Sequence, residues 1–266
     1  PSDDLICDLD SERRPKAYNR ENFRVDILSK NALKNKSKLP KVWIDFIDYH
    51  SSKDFYSEVV NFFGPSINKI YPTLVDKNSD LNDLSCGRRF CEETDKFDLS
   101  LDCQVGINTP SKNKSSVLTA HIDSPEELYA GLLYFKQKDD LASGGDLELY
   151  KWNNLRKRKF EKHLAQNKLV EVFAKQKYEA NTFIMFLNTL DSIHGVTPRE
   201  PSLKSRRLVN IIGEVYNLKP KGLFVRPQTF RSKIINSFEN SKVKIKSYIK
   251  SKVIKYKKVL IKSIRN

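Results

Sequence analysis

Two histidines and one aspartate have residue types and a spacing that could bind a metal ion. His121-Ile122-Asp123 separates an imidazole from a carboxylate by one residue, and alternate residues of a β-strand point to the same face. The tripeptide alone is a weak signal, because four histidines and 33 acidic residues in 266 produce an H-x-[D/E] by chance about half the time. His194, in the segment NTLDSIHGVTPRE, supplies a third ligand if its strand lies beside that of His121.

The ligand set of His121, Asp123 and His194 is typical of one class of metal chemistry. Two imidazoles and one carboxylate on one side of an ion form a facial triad, which leaves coordination positions open. Activation of O2 at Fe(II) needs such positions for a bidentate co-substrate and for O2, whereas a closed four-ligand site has none. The fold must therefore bring His194 next to the first two ligands.

The elements that would position these ligands read as short strands. From Phe97 to Ile107, apolar and polar residues alternate, which predicts a half-buried strand. Further strands are predicted at 116–123, 130–137, 144–152, 181–188, 192–196 and 206–216, separated by turn residues. This spacing favours a mainly β, barrel or jelly-roll domain whose core covers about residues 97–216.

The segments around this core are of other kinds. Residues 1–40 are polar and are predicted to wrap the body, and residues 50–65 predict a helix that stops at Gly64-Pro65. Residues 152–178 read as a basic insertion that interrupts the strands. Gly144-Gly145 is interpreted as a turn or bulge rather than a phosphate-binding loop, because no helix pattern follows it.

The carboxyl-terminal segment 231–266 contains twelve Lys and Arg against Glu239 and has no Gly or Pro. Its apolar residues recur at intervals of mostly three and four, which predicts a basic amphipathic helical extension beyond a single domain spanning 1–230. Three interpretations stay open for it: a solvated lysine face on a packed helix, peripheral contact with an anionic membrane surface, or a nucleic-acid contact.

Charge and cysteine content limit the class of protein. The net charge is +15, but residues 231–266 carry +11 of it, so the remainder is nearly balanced. Cys7, Cys86, Cys91 and Cys103 form no C-x-x-C pair, which argues against a disulfide framework or a structural zinc site. No apolar run is long enough for a transmembrane helix and no signal-peptide pattern is visible, so we expect a cytoplasmic location.

The motifs in order resemble those of the 2-oxoglutarate- and Fe(II)-dependent oxygenases, in the prolyl-hydroxylase-like branch. The resemblance covers about residues 97–216. The segments that carry it are His121-Ile122-Asp123, LLYFKQKDD (132–140), SGGDLELY (143–150), ANTFIMFLNTLDSIHGV (180–196) and Arg206-Arg207-Leu208-Val209-Asn210. The resemblance implies a double-stranded β-helix, or jelly roll, with flanking helices.

The resemblance also implies a co-substrate site. In this family a basic residue some ten positions after the second histidine binds the far carboxylate of 2-oxoglutarate. Arg207 matches best, with Arg206 close behind and Arg199 third, although the thirteen positions from His194 to Arg207 are slightly long. Tyr134 matches a family position whose hydroxyl often bonds the same carboxylate.

The implied activity is hydroxylation of a substrate C–H bond with Fe(II), 2-oxoglutarate and O2, releasing succinate and CO2. Relatives that halogenate lack the carboxylate ligand, so the presence of Asp123 favours hydroxylation. The primary substrate stays open among a protein side chain, a glycan and a small metabolite.

Two other functions compete with this one. The alternative is a redox-silent metal- or ligand-binding jelly roll associated with an anionic membrane surface through residues 231–266. Nucleic acid is disfavoured as a substrate, because oxygenases that repair alkylated bases carry a second arginine six residues after the first. Those positions here hold Ile212 or Gly213.

Overall fold

A computed structural model describes residues 1–9, 21–75, 79–90, 96–116, 118–216 and 222–229. The predicted helix 231–266 and Cys91 lie outside this part of the chain. The helices are α1 (Asp3–Asp8), α2 (Ser29–Lys34), α3 (Lys41–His50) and α4 (Lys53–Ile70). The strands are β1 (Arg24–Ile27), β2 (Cys86–Arg88), β3 (Leu99–Asn108), β4 (Glu127–Tyr134), β5 (Leu147–Trp152), β6 (Phe160–Glu161), β7 (Leu164–Ala165), β8 (Val170–Gln176), β9 (Thr182–Leu187), β10 (His194–Val196) and β11 (Arg206–Val215).

The strands form two main sheets. The major sheet has the order β1-β3-β11-β4-β9 with antiparallel neighbours, and β2 pairs parallel with β3. The minor sheet has the order β10-β5-β8, and β6 and β7 form a separate hairpin. The prediction of a mainly β protein with flanking helices is confirmed, whereas the jelly-roll topology stays a prediction.

One face of the major sheet packs against the helices and forms the main apolar core. Alternate residues of β3 and β11 point to this face, as the pleat of a strand requires. Helix α4 covers them with one apolar side, including Tyr56 and Ile67, both fully buried. The sheet residues of this core are Leu99, Leu101, Cys103, Val105, Ile107, Val209, Ile211 and Val215.

The other face of the major sheet is polar but also buried. Ser100, Asp102, Gln104 and Asn108 of β3 are at most 8% exposed. The alternation predicted for this strand is correct, but the prediction that it is only half-buried is wrong. Gln104 and Asn108 lie against a cavity between the two sheets, and Asp102 is covered by Ser29 and Arg89 instead of bulk water.

The flanking segments differ from the predictions in three ways. The amino-terminal segment is more than a wrap, since β1 joins the major sheet and Val25 and Ile27 are fully buried. Helix α4 continues past Pro65 to Ile70, because burial of Ile67 offsets part of the cost of the missing backbone donor. Residues 152–178 contain β6, β7 and β8, and β8 extends the minor sheet.

Two further observations concern the composition-based predictions. Among the described residues, Cys7, Cys86 and Cys103 do not form disulfide bonds. Among the described residues, none of the helices combines the length and the apolar character that crossing a bilayer requires.

Candidate metal centre

Backbone pairing brings the two candidate histidines together. His121 and His194 form an isolated antiparallel bridge, in which each backbone N–H donates to the other residue's carbonyl at 2.8 and 2.9 Å. His194 opens β10, which is itself paired with β5 through Leu149. Residues opposite one another in an antiparallel pair have adjacent side chains, so the fold places the two imidazoles side by side.

The three candidate ligands converge on one point. One ligand atom from each of His121, Asp123 and His194 lies within 4.8 Å of the other two. Asp123 contributes both oxygens, with Oδ1 at 3.7 Å from Nε2 of His121 and Oδ2 at 3.6 Å from Nε2 of His194. Both histidines are only 6% exposed. This is the donor set and spacing of a facial triad.

Hydrogen bonds determine which imidazole nitrogen of each histidine is available to bind a metal ion. Nδ1 of His121 lies 2.8 Å from the carbonyl oxygen of Thr119, and Nδ1 of His194 lies 3.0 Å from that of Ser192. A carbonyl only accepts, so Nδ1 carries the proton and Nε2 keeps a lone pair directed towards Asp123. Burial, with a smaller contribution from His194, lowers the pKa of His121 to about 3, which keeps this ring neutral.

The triad lines a cavity of about 320 Å³ between the major and minor sheets. Strands β5 and β10 form one wall with Leu147 and Val196, and β4 and β9 contribute Ala130, Leu132 and Phe186. The Phe186 ring lies 4.8 Å from the His194 ring, centroid to centroid. Apolar side chains therefore surround the metal-facing side of the cavity.

Arg206 lies in the same cavity and is buried without a counter-ion. It is 4% exposed, and no carboxylate of the described residues forms an ion pair with it. Nε donates to the Gly145 carbonyl at 2.9 Å, and the guanidinium lies 4.9 Å from the ring centroids of Tyr134 and Tyr178. Burial lowers the pKa of Arg206. An unpaired buried cation is costly, so this position suits an anionic ligand.

Arg207 and Arg199 do not face this site. Arg207 points to the opposite face of the major sheet, because neighbouring strand residues alternate, and it forms an ion pair with Asp3 at 2.5 Å. Arg199 forms a buried ion pair with Asp140 at 2.7 Å. The structure therefore brings Arg206, the second choice, to the cavity and places Arg207, the first choice, on the opposite face of the sheet.

Tyr134 and the glycine pair both lie beside Arg206. Tyr134 shares the cavity-facing side of β4 with Ala130 and Leu132, and its buried hydroxyl has no hydrogen-bond partner among the described residues. Gly144 and Gly145 have φ of +79° and +77°. A Cβ at Gly144 would lie 2.1 Å from the Pro198 oxygen, so this tight connection, and not a phosphate loop, presents the Gly145 carbonyl to Arg206.

Two residues near the triad were missed in the sequence. The His163 ring, from the β6–β7 connection, lies 6.2 Å from the His121 ring. Arg226 donates from Nη2 to the Asp123 carbonyl at 2.7 Å. Neither position carries a local motif, because their proximity to the triad depends on tertiary contacts alone.

Comparisons with known proteins give distant structural likenesses. No protein-family model and no curated protein matches the chain. A prolyl 4-hydroxylase structure from Phytophthora capsici is similar with a TM-score of 0.35 and 14% identity, over 75% of this chain and 50% of that one. A Pseudomonas putida prolyl-4-hydroxylase has a TM-score of 0.35 and 11% identity, over 81% and 88%. The chain thus spans about half the length of the first of these, and the site assignment rests on the residues themselves.

Proposed function

We propose that this protein is an Fe(II)- and 2-oxoglutarate-dependent dioxygenase that hydroxylates a C–H bond of its primary substrate. The observation that carries the proposal is a single cavity with the His121, Asp123 and His194 ligand set on one wall and the unpaired Arg206 on another. The first group suits Fe(II), and the second suits the distal carboxylate of a dicarboxylic acid.

The donor set fits the proposed metal. Two neutral imidazole nitrogens and one carboxylate, held by backbone carbonyls at their Nδ1 positions, match the ligands of a three-residue Fe(II) site. A structural zinc site would close its coordination with a fourth protein ligand. Among the described residues no fourth His, Cys, Asp or Glu joins the cluster.

In this proposal Arg206 takes the role that the family resemblance assigns first to Arg207. Its planar fork has five N–H donors, of which two make contacts with Gly145 and Asn108. The Tyr134 hydroxyl, buried and unbonded on the same side, can donate to the same carboxylate. Both groups gain a partner when the co-substrate enters, which offsets the cost of keeping them buried.

The apolar wall has a complementary task. Leu132, Leu147, Val196 and Phe186 exclude water between Arg206 and the triad, which strengthens electrostatic contacts to a bound dicarboxylate. When bound, Fe(II) with 2-oxoglutarate and O2 supplies the oxidising chemistry, yielding succinate and CO2. The chain itself orients the co-substrate, holds the ligands in one tautomer and keeps the site dry.

The test is turnover of 2-oxoglutarate by purified full-length protein. We expect succinate release that requires Fe(II), O2 and 2-oxoglutarate together, and that is lost in His121→Ala. The alternative, a redox-silent binding protein, predicts metal uptake with no succinate under any combination. That second result would refute the proposal. A cytoplasmic location and a membrane contact by residues 231–266 stay predictions.

A further inference from the structure

The cavity has a polar wall that the proposed co-substrate does not use. Strands β1, β3 and β11 contribute only one apolar side chain, Leu208, to the lining. Their other lining side chains, Arg206 aside, are two ionic groups and three carboxamides: Arg24, Asp26, Gln104, Asn108 and Asn210. The other strands that line the cavity, β4 and β9 of the same sheet and β5 and β10 of the minor sheet, are apolar apart from the ligands. The polar part of the lining is therefore available to a second ligand.

The carboxamide of Asn108 is oriented by Arg206. Nη1 of Arg206 donates to Oδ1 of Asn108 at 3.5 Å, and a guanidinium has no acceptor, so the amide cannot be reversed. Nδ2 of Asn108 therefore turns away from Arg206. It is buried and has no partner among the described residues, in a side chain that is 2% exposed. This position presents an unused hydrogen-bond donor.

The carboxamide of Asn210 is oriented by Asp102 through Gln104. Oδ2 of Asp102, whose side chain is fully buried, accepts from Nε2 of Gln104 at 3.1 Å. Oε1 of Gln104 in turn accepts from Nδ2 of Asn210 at 3.5 Å. In this relay Nε2 of Gln104 and Nδ2 of Asn210 are the donors, which leaves Oδ1 of Asn210 buried without a partner among the described residues. This position presents an unused acceptor.

The charges of the polar wall are already compensated. Nε of Arg24 donates to Oδ1 of Asp26 at 2.5 Å, so these two side chains form an ion pair. Gly106 leaves room for this pair, since a Cβ there would lie 2.4 Å from Asp26. With Arg206 assigned to the co-substrate, no net charge remains on the wall for an ionic substrate.

We propose, on the basis of the proposed function, that the primary substrate is a small, neutral, polyhydroxylated molecule of the sugar or polyol class. A hydroxyl group both donates and accepts, so adjacent hydroxyls satisfy Asn108 Nδ2 and Asn210 Oδ1 together after a small rotation of each carboxamide. An anion would satisfy only the donor, and a cation only the acceptor. The cavity of about 320 Å³ lies at the lower end of ligand-site volumes, so a substrate that shares it with the co-substrate must be small.

The experiment measures binding without turnover. Saturation-transfer difference NMR on full-length, metal-free protein uses D-glucose, D-galactose, D-mannose, L-fucose, xylitol and myo-inositol as probes. The charged comparators are glycine betaine, which offers only an acceptor, and methylammonium, which offers only a donor. We expect at least one neutral probe to bind and the charged probes not to bind. In Asn108→Leu and Asn210→Leu, the Kd for that probe should rise at least tenfold, whereas the exposed control Asn82→Leu should bind like the wild type.

Thermal unfolding separates binding from a structural role. Each leucine removes a buried unpaired atom but also the hydrogen bond that the carboxamide makes to Arg206 or to Gln104, so the Tm of the two cavity variants should stay within a few degrees of the wild type. A fall in Tm with unchanged probe affinity would overturn the proposal, and so would binding of the charged probes in place of the neutral ones. No binding of any neutral probe, in protein that still releases succinate from 2-oxoglutarate, would refute the substrate class and leave the proposed function standing.

Discussion

The two faces of the major sheet are made by the same strands and carry opposite kinds of side chain. The face towards the helices holds Leu101, Val209 and Ile211 in a continuous apolar core. The face towards the cavity holds Gln104, Asn108 and Asn210, which are polar and largely shielded from water. Arg206 and Arg207 are chain neighbours, yet one is buried without a counter-ion and the other pairs with Asp3.

This difference shows how a strand pattern should be interpreted when its polar face is buried. Alternation of apolar and polar residues normally indicates one face in water. Here the polar face has unpaired donors and acceptors and an unpaired arginine. Such buried groups lower the stability of the fold unless a ligand satisfies them. The helix-covered face supplies stability, and the cavity-covered face supplies the site.

The largest expected effect comes from removing a ligand on the cavity side. His121→Ala should lower Fe(II)-dependent succinate release by at least roughly a thousandfold, because two remaining ligands hold the metal poorly. His50→Gln on helix α3, which contacts the Phe46 carbonyl instead, should retain nearly full activity. Equal losses in both variants would show that the two histidines do not differ in function.

Arg206 and Arg207 allow the two faces to be compared at neighbouring positions of one strand. Arg206→Met should raise the KM for 2-oxoglutarate by roughly 30- to 1,000-fold, because it removes a buried charge that pairs with a carboxylate. Arg207→Met should change it by less than about threefold, since its partner is Asp3 at the protein surface. Steady-state kinetics with varied 2-oxoglutarate measures both, and the reverse order would restore the original preference for Arg207.

For stability, we expect substitutions on the helix-covered face to have larger effects than substitutions on the cavity-covered face. Ile211→Ala, in the fully buried apolar core, should lower the free energy of unfolding by about 2–4 kcal/mol. Leu132→Ala, which lines the cavity, should lower it by about 1 kcal/mol, because its side chain is less completely packed. Urea denaturation of metal-free protein compares them, and equal losses would contradict the distinction between core and cavity.

The smallest expected effect is the pH dependence of the unfolding free energy that His50 contributes on the helix-covered face. Burial lowers the pKa of His50, so the unfolded chain takes up a proton there more readily than the folded one. The stabilising contribution is therefore present above the ordinary histidine pKa near 6.5 and is lost as pH falls below it. His50→Gln should flatten the dependence of unfolding free energy on pH between about 7 and 5. An unchanged slope would contradict this assignment.

The sequence predicted the strand alternation and the proximity of His121 and Asp123, because both depend on local spacing. His121 and Asp123 share one tripeptide, and the period of two in β3 is correct along its length. The choice between Arg206 and Arg207 failed because it depends on the register of β11, in which a shift of one residue exchanges the faces. His163 and Arg226 could not be found, since only the tertiary fold brings them to the triad.

The most direct test of the central claim is a spectrum recorded without oxygen. Adding 2-oxoglutarate to the Fe(II)-loaded wild-type protein should produce a weak, saturable visible charge-transfer band, which reports chelation of the co-substrate at the metal. Arg206→Met should need a far higher concentration of 2-oxoglutarate to reach the same band, and His121→Ala should not form it. A wild-type protein that binds Fe(II) and develops no band at saturating 2-oxoglutarate would contradict the account.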